Sequence, residues 1–215
     1  MIYNWQHLLI SLLVLTNLFM VSTSRLRAPI SIVALQGILL GFFPYFLHWG
    51  TFSPHTVILS VVGIAIKGIV IPLLLIRAVR GVAVERELKP YIGYTLSIAL
   101  CIFITGFVFW AGRFAHISPL FPSPSMISLS LCISLTGLFL IVTRTQALTQ
   151  IIGYLVLENG IFAFGISLPV GMSVLVEMGV LLDLLVGVFI MGIVLYHINR
   201  EFDTISTKSL ETLKQ

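Results

Sequence analysis

The sequence predicts an all-α, polytopic membrane protein of about seven transmembrane helices. Three observations predict it. First, 58% of the 215 residues are hydrophobic and only 9% are charged, with a mean hydropathy of +1.10. A soluble domain carries roughly a quarter charged residues, so this chain cannot cover a surface that faces water. Second, the apolar residues fall in runs of about twenty, the length that crosses ~30 Å of hydrocarbon as a helix. Outer-membrane strands alternate over about ten residues instead. Third, the basic residues collect in the short breaks between runs. Together these exclude an ordinary soluble enzyme and a disordered chain. The net charge of +4 and the pI near 9.3 read as topology-setting charge and not as a nucleic-acid surface.

The runs place spans at 5–22, 30–47, 57–76, 92–111, 126–143, 151–168 and 173–197. The first is expected to be a span and not a removable signal, because it lacks a basic leader and a small-residue cleavage site. The second follows the break Arg25-Leu26-Arg27-Ala28-Pro29, the fourth follows the polar stretch from Arg77 to Pro90, and the fifth follows a three-proline stretch, 118–125. Trp5, Trp49 and Trp110 fall at span ends, where amphipathic rings sit best. Cys101 and Cys132 lie singly inside apolar runs and read as core residues. The five histidines (His7, His48, His55, His116, His197) fall at span ends or in loops and read as solvated groups.

Orientation follows from counting cations. With the N-terminus outside, Arg25, Arg27, Arg77, Arg80, Arg86, Lys89, Arg144, Arg200, Lys208 and Lys214 face inward, against Arg113 alone outside. That bias predicts an odd number of spans, N-out and C-in, in an inner (cytoplasmic) membrane. The polar tail after Asn199 reads either as a loose terminus or as a docking segment through Ile205, Leu210 and Leu213. Two short echoes, Leu35-Gln36-Gly37 with Leu157-Glu158-Asn159-Gly160 and Gly63-x-x-x-Lys67 with Gly179-x-x-x-Asp183, match either a duplicated three-helix half or chance recurrence in Gly-rich sequence.

The informative residues are Lys67, Glu158 and Asp183. A charge at the centre of a span costs about 2.5–3.5 kcal/mol on insertion scales, which a simple anchor has no reason to carry. Each lies about ten residues from the outer end of its span, roughly 15 Å deep at the helical rise. Three ionisable groups at one depth on three helices form a lateral row, and Glu177, about 9 Å outward of Asp183 along the axis, extends it towards the outer face. Low dielectric disfavours each charge and pairing restores it, so a carboxylate whose partner can move is a protonatable relay. A fixed ion pair that only pins helices is the alternative. Pro72 cannot donate to the carbonyl of Gly68, so span three is expected to loosen beside its lysine. Asn17, Gln36 and Asn159 are candidate hydrogen-bond members, though interhelical packing explains each equally well, and Gly37-x-x-x-Gly41 reads as a close-packing surface. The sequence holds no phosphate loop, metal-ligand spacing or nucleophile with a base, hence no expected catalytic site, cofactor or metal in this chain.

At Ile152-Gly153-Tyr154-Leu155-Val156-Leu157-Glu158-Asn159-Gly160 the chain resembles component E of hydrogenase-4-type membrane complexes related to formate hydrogenlyase. The resemblance continues through Pro169, Glu177-Met178-Gly179, Asp183 and Arg200 into the ending Ser209-Leu210-Glu211-Thr212-Leu213-Lys214. It is good over about 143–215, and in the N-terminal half it rests on hydropathy and Lys67. Spans five to seven are also similar to the three-helix K-type (4L) subunit of respiratory complex I and, more distantly, to the small C-type component of Mrp-type antiporters. By that likeness Glu158 takes the second-helix and Asp183 the third-helix position of a buried acidic pair used in proton transfer, with an aspartate one methylene short. The likeness does not reach Lys67 or Glu177.

The resemblance implies a non-catalytic subunit beside antiporter-like and heel-type membrane subunits, with a soluble hydrogenase-like arm on the inner side carrying the metal centres. The chain then divides into an N-terminal three-helix half (1–90), a linking helix and outer loop (91–124), a K-subunit-like unit (125–198) and an inner tail (199–215). A subunit of a cation/proton antiporter assembly and a purely structural subunit are the rival readings. A reporter fused after Gln215 that is active only inside the cell, with residues of the 115–123 loop labelled only from outside, is the expected topology result. The opposite labelling pattern overturns the orientation.

Overall fold

The computed structural model describes residues 2–23, 27–47, 54–80, 91–114 and 124–167, together with 179, 182, 185–187 and 190. Every regular element among them is helical: α1 (Ile2–Ser22), α2 (Arg27–Leu47), α3 (Pro54–Ala65), a π-helical turn (Ile66–Val70), α4 (Ile71–Arg80), α5 (Tyr94–Phe114), α6 (Pro124–Thr143) and α7 (Ala147–Ser167). α3, the π turn and α4 form one continuous rod. Five of the described helices are long and apolar enough to cross a membrane, and α2 adds a shorter apolar stretch, Arg27–Phe43. The architecture is therefore all-helical and that of a multi-pass membrane protein. Each of the first six expected spans overlaps one of these helices. The expected seventh, 173–197, lies mostly outside the described residues, as does Trp49; the residues of it that are described are helical.

The bundle is organised around α6. In its membrane-length segment 61% of residues are buried, against 17% for α5, so α6 is interior and α5 peripheral. α6 packs against α7, α5 and α1, while α2 lies between α1, α7 and the α3–α4 rod. Where lipid and protein are equally apolar, close backbone approach, and not water exclusion, holds helices together. The α6–α7 seam shows this directly. A methyl group on Gly137 would meet the backbone of Leu157, one on Gly153 would come within 2.9 Å of Ile141 N, and one on Gly160 would lie 2.8 Å from Ser134 Cα. The α2 glycines do the same work: a methyl on Gly37 would lie 2.7 Å from Lys67 Cβ, and one on Gly41 would strike Ile64. The expected close-packing role of Gly37-x-x-x-Gly41 is thus met against the α3–π rod.

At the end of the bundle formed by the C-termini of α1 and α6 and the N-terminus of α5 stands Arg144, one of the cations counted as facing inward. It is 2% exposed. Its Nη2 donates to Val21 O at 3.0 Å and its guanidinium lies 4.7 Å over the Tyr94 ring. Val21 sits in the last turn of α1, where carbonyls lack helical partners, so the arginine both satisfies that end and balances its dipole. Tyr91 N–H donates to Thr143 O at 3.0 Å, tying the entry to α5 to the end of α6.

Backbone clash and open space give opposite expectations for glycine substitutions. Gly137→Ala, facing backbone, should destabilise the detergent-solubilised protein by about 1–3 kcal/mol. Gly106→Ala, which meets nothing within 4 Å, should leave it unchanged or slightly stabilised through helix propensity. Thermal unfolding of the two variants side by side checks both.

Candidate functional site

The π turn carries the site. Pro72 has no N–H to give to the carbonyl of Gly68, and the helix answers immediately upstream by widening one turn: Ile71 N–H donates to Ile66 O, a five-residue step. Ala65 and Ile71 on either side keep ordinary α dihedrals, so the distortion is confined to Ile66–Val70. This is the loosening expected beside the lysine, and it takes the form of a π bulge, a feature frequent at functional sites. Lys67 sits inside it, 5% exposed. Gly37 of α2 leaves its side chain off at this level so that the lysine backbone can approach.

From the π turn Lys67 reaches α7. Its Nζ donates to Glu158 Oε1 at 3.0 Å and to Asn159 Oδ1 at 3.4 Å, and lies 5.4 Å from the centroid of the Phe162 ring. Glu158 and Asn159 are each 2% exposed. Phe162 is one helical turn beyond Glu158, so its ring face adds a cation–π contact to the charged pair. A buried lysine and a buried glutamate, each costly alone, therefore meet in one ion pair that joins the α3–α4 rod to α7. Asn159 gives the ammonium a second, uncharged acceptor, and its own Nδ2 is buried without a hydrogen-bond partner among the described residues.

The last segment borders this pair. A methyl on Gly179 would lie 3.8 Å from Glu158 Oε1, and one on Gly187 would lie 3.7 Å from Leu74 Cδ1. Leu74 follows Lys67 by seven residues and Gly187 follows Gly179 by eight, so these contacts run the two segments in the same direction. Asp183 and Glu177 lie outside the described residues. Of the four expected relay residues, the structure brings Lys67 and Glu158 together.

Two further polar groups stand in the bundle. Gln36 joins Thr16 and Asn17 between α2 and α1. Between α5 and α6 the free thiols of Cys101 and Cys132 contact Thr136 Oγ1 at 3.7 Å and Thr105 Oγ1 at 3.2 Å, which agrees with their reading as core residues. Among the described residues no group of three or more His, Cys, Asp or Glu side chains is placed to hold a metal ion. The signal for Asn159 as a lysine ligand was present in the sequence as its adjacency to Glu158. Phe162 carried no signal until the helix phase of α7 was fixed.

The chain is 27% identical over 209 residues to hydrogenase-4 component E of Escherichia coli (strain K12), covering 96% of this chain and 95% of that protein. The chain is a homologue of hydrogenase-4 component E. The component E of Shigella flexneri matches over the same span with the same identity. An uncharacterized protein of Mycobacterium tuberculosis is 28% identical over 208 residues, covering 94% of this chain and 92% of its own. No family model and no solved structure matches the chain. The relationship to component E thus extends through the N-terminal half, well beyond the residues that carried the resemblance in the sequence.

Removing one partner of a buried pair strands the other charge, whereas removing both does not. Lys67→Met and Glu158→Gln should each lower the stability of the solubilised protein by about 3–5 kcal/mol. The double replacement should cost markedly less than the sum. A thermal double-mutant cycle measures the coupling; additive effects would mean that the two side chains do not interact.

Proposed function

We propose that the chain is a non-catalytic membrane subunit of a hydrogenase-4-type, complex-I-like redox assembly, and that Lys67 and Glu158 form a station on a proton path near mid-membrane. The observation that carries this reading is the Lys67–Glu158 contact of 3.0 Å, buried on both sides and set on a π turn. The homology to component E supports membership of such a complex. Protonation of the Glu158 carboxylate would cancel its attraction for the ammonium, which has Asn159 Oδ1 as its other acceptor at 3.4 Å. Loss of a proton from Glu158 restores the pair. The proton enters and leaves as H+, so the site needs no oxidant or reductant of its own.

Asp183 and Glu177 are further stations in this proposal. Asp183 stands four residues after Gly179 and four before Gly187 in the sequence, the two glycines that border Glu158 and Leu74. The partners proposed are antiporter-like and heel-type membrane subunits and a soluble hydrogenase-like arm on the inner side, within an inner membrane. A second reading draws on the same ion pair: a permanent clamp between the α3–α4 rod and α7, with no proton moving through it.

The two readings separate on one measurement. In vesicles containing the assembled complex, Glu158→Gln, Asp183→Asn and Lys67→Met should each lower proton movement per electron, by about a hundredfold for Glu158→Gln, the low end for a positioned proton carrier. Electron transfer by the soluble arm should persist. If the variants assemble poorly on native gels but move the normal number of protons per electron, the clamp is correct and the relay is not.

A further inference from the structure

A second buried polar cluster lies across α2 from the ion pair. Gln36 of α2 and Asn17 of α1 are fully buried, and Thr16 nearly so. Gln36 Nε2 donates to Thr16 Oγ1 at 3.0 Å and to Asn17 Oδ1 at 3.1 Å, while Thr16 Oγ1 donates to Leu13 O at 2.7 Å. Both hydrogens of the Gln36 amide are then used. Gln36 Oε1, an acceptor, and Asn17 Nδ2, a donor, remain buried with no hydrogen-bond partner among the described residues. Exchanging O and N in Asn17 alone would set donor against donor across the 3.1 Å contact, exchanging them in Gln36 alone would set acceptor against acceptor, and exchanging both would set Gln36 Oε1 against Thr16 Oγ1, whose hydrogen goes to Leu13 O.

Each such orphan is costly in a dry interior, because it has given up its hydrogen bond to water and gained none in return. Helix packing alone does not account for two of them, because apolar side chains of the same size would fill the space without that cost. The thiol of Cys132 on α6, whose S–H goes to Thr105 Oγ1 at 3.2 Å, lies within hydrogen-bonding reach of Asn17, but sulfur is a weak acceptor and does not replace an oxygen. The orphans are complementary, one acceptor and one donor, on amides that already touch. Gln36 also immediately precedes Gly37, the residue against which Lys67 packs.

We propose that Gln36 and Asn17 hold a water molecule inside the bundle, and that this hydrated amide pair is a further station beside the Lys67–Glu158 pair. The water donates one O–H to Gln36 Oε1 and accepts from Asn17 Nδ2, satisfying both groups. It keeps one O–H and one lone pair, so it can accept a proton on one side and release another on the other with no net change. Asn159 Nδ2, on the α7 side of Lys67, offers a second buried donor of the same kind. Its role in transport rests on the proton-path reading above; the binding of water does not.

Water-edited solid-state NMR on the full-length chain in lipid bilayers tests the site without any variant. Magnetisation starting on water should reach the side-chain amide protons of Asn17 and Gln36, and Gln36→Leu should abolish the transfer to Asn17. Dry amides in the unaltered chain overturn the site. In vesicles holding the assembled complex, Gln36→Leu should slow proton movement about tenfold, the equivalent of one lost hydrogen bond, with electron transfer retained. A wet site with an unchanged rate in Gln36→Leu overturns the station and leaves the ion pair untouched. An unchanged rate in Glu158→Gln instead overturns the proton-path reading itself.

Discussion

A lysine in hydrocarbon must find a counter-charge, and much of this bundle is arranged around that requirement. Lys67 and Glu158 stand on helices that pack chiefly on other neighbours, the rod of α3 and α4 on α2, and α7 on α6. Their 3.0 Å contact joins the two groups. Each charge is costly when buried without the other, so the pair ties the rod to α7. The rest of the interior follows: α2 is thinned at Gly37 to admit the lysine backbone, and the rod is widened at Ile66–Val70 beneath it.

The glycines give the pair its rigidity. At the α6–α7 seam the backbones meet through Gly137, Gly153 and Gly160, which sets α7 against an interior helix and so places Glu158. On the opposite side the proline supplies give. Pro72 removes one donor, and the π turn that compensates lies within the segment carrying the lysine. One partner is therefore held by tight packing and the other stands on the least regular turn of the described helices. That asymmetry suits the proposed relay, in which Glu158 keeps its place while Lys67 changes hydrogen-bond acceptor.

Much of this was legible in the residues. Spacing of apolar runs gave six of the described helical segments, and the loosening at Pro72 was readable because a missing N–H has a fixed consequence four residues upstream. Lys67 and Glu158 stood out because charge inside an apolar run is expensive. Their pairing was not legible: Lys67 and Glu158 lie ninety-one positions apart, and equal depth alone left Asp183 as good a partner. The burial of Arg144 was not legible either. As a cation between two spans it counted only towards orientation, and only the meeting of α1, α5 and α6 shows it buried over Tyr94 with the Val21 carbonyl as its acceptor.

The sequence by itself determined that the chain is helical and membrane-embedded, because backbone hydrogen bonds in oil are satisfied only by helices or closed barrels and its unalternating runs of about twenty residues fit the helix. It also marked which ionisable groups are out of place there. Only the tertiary structure decided which of those groups meet. Contact between helices depends on rotation about each axis and on where glycine lets backbones close, and neither quantity is written in any single run of residues.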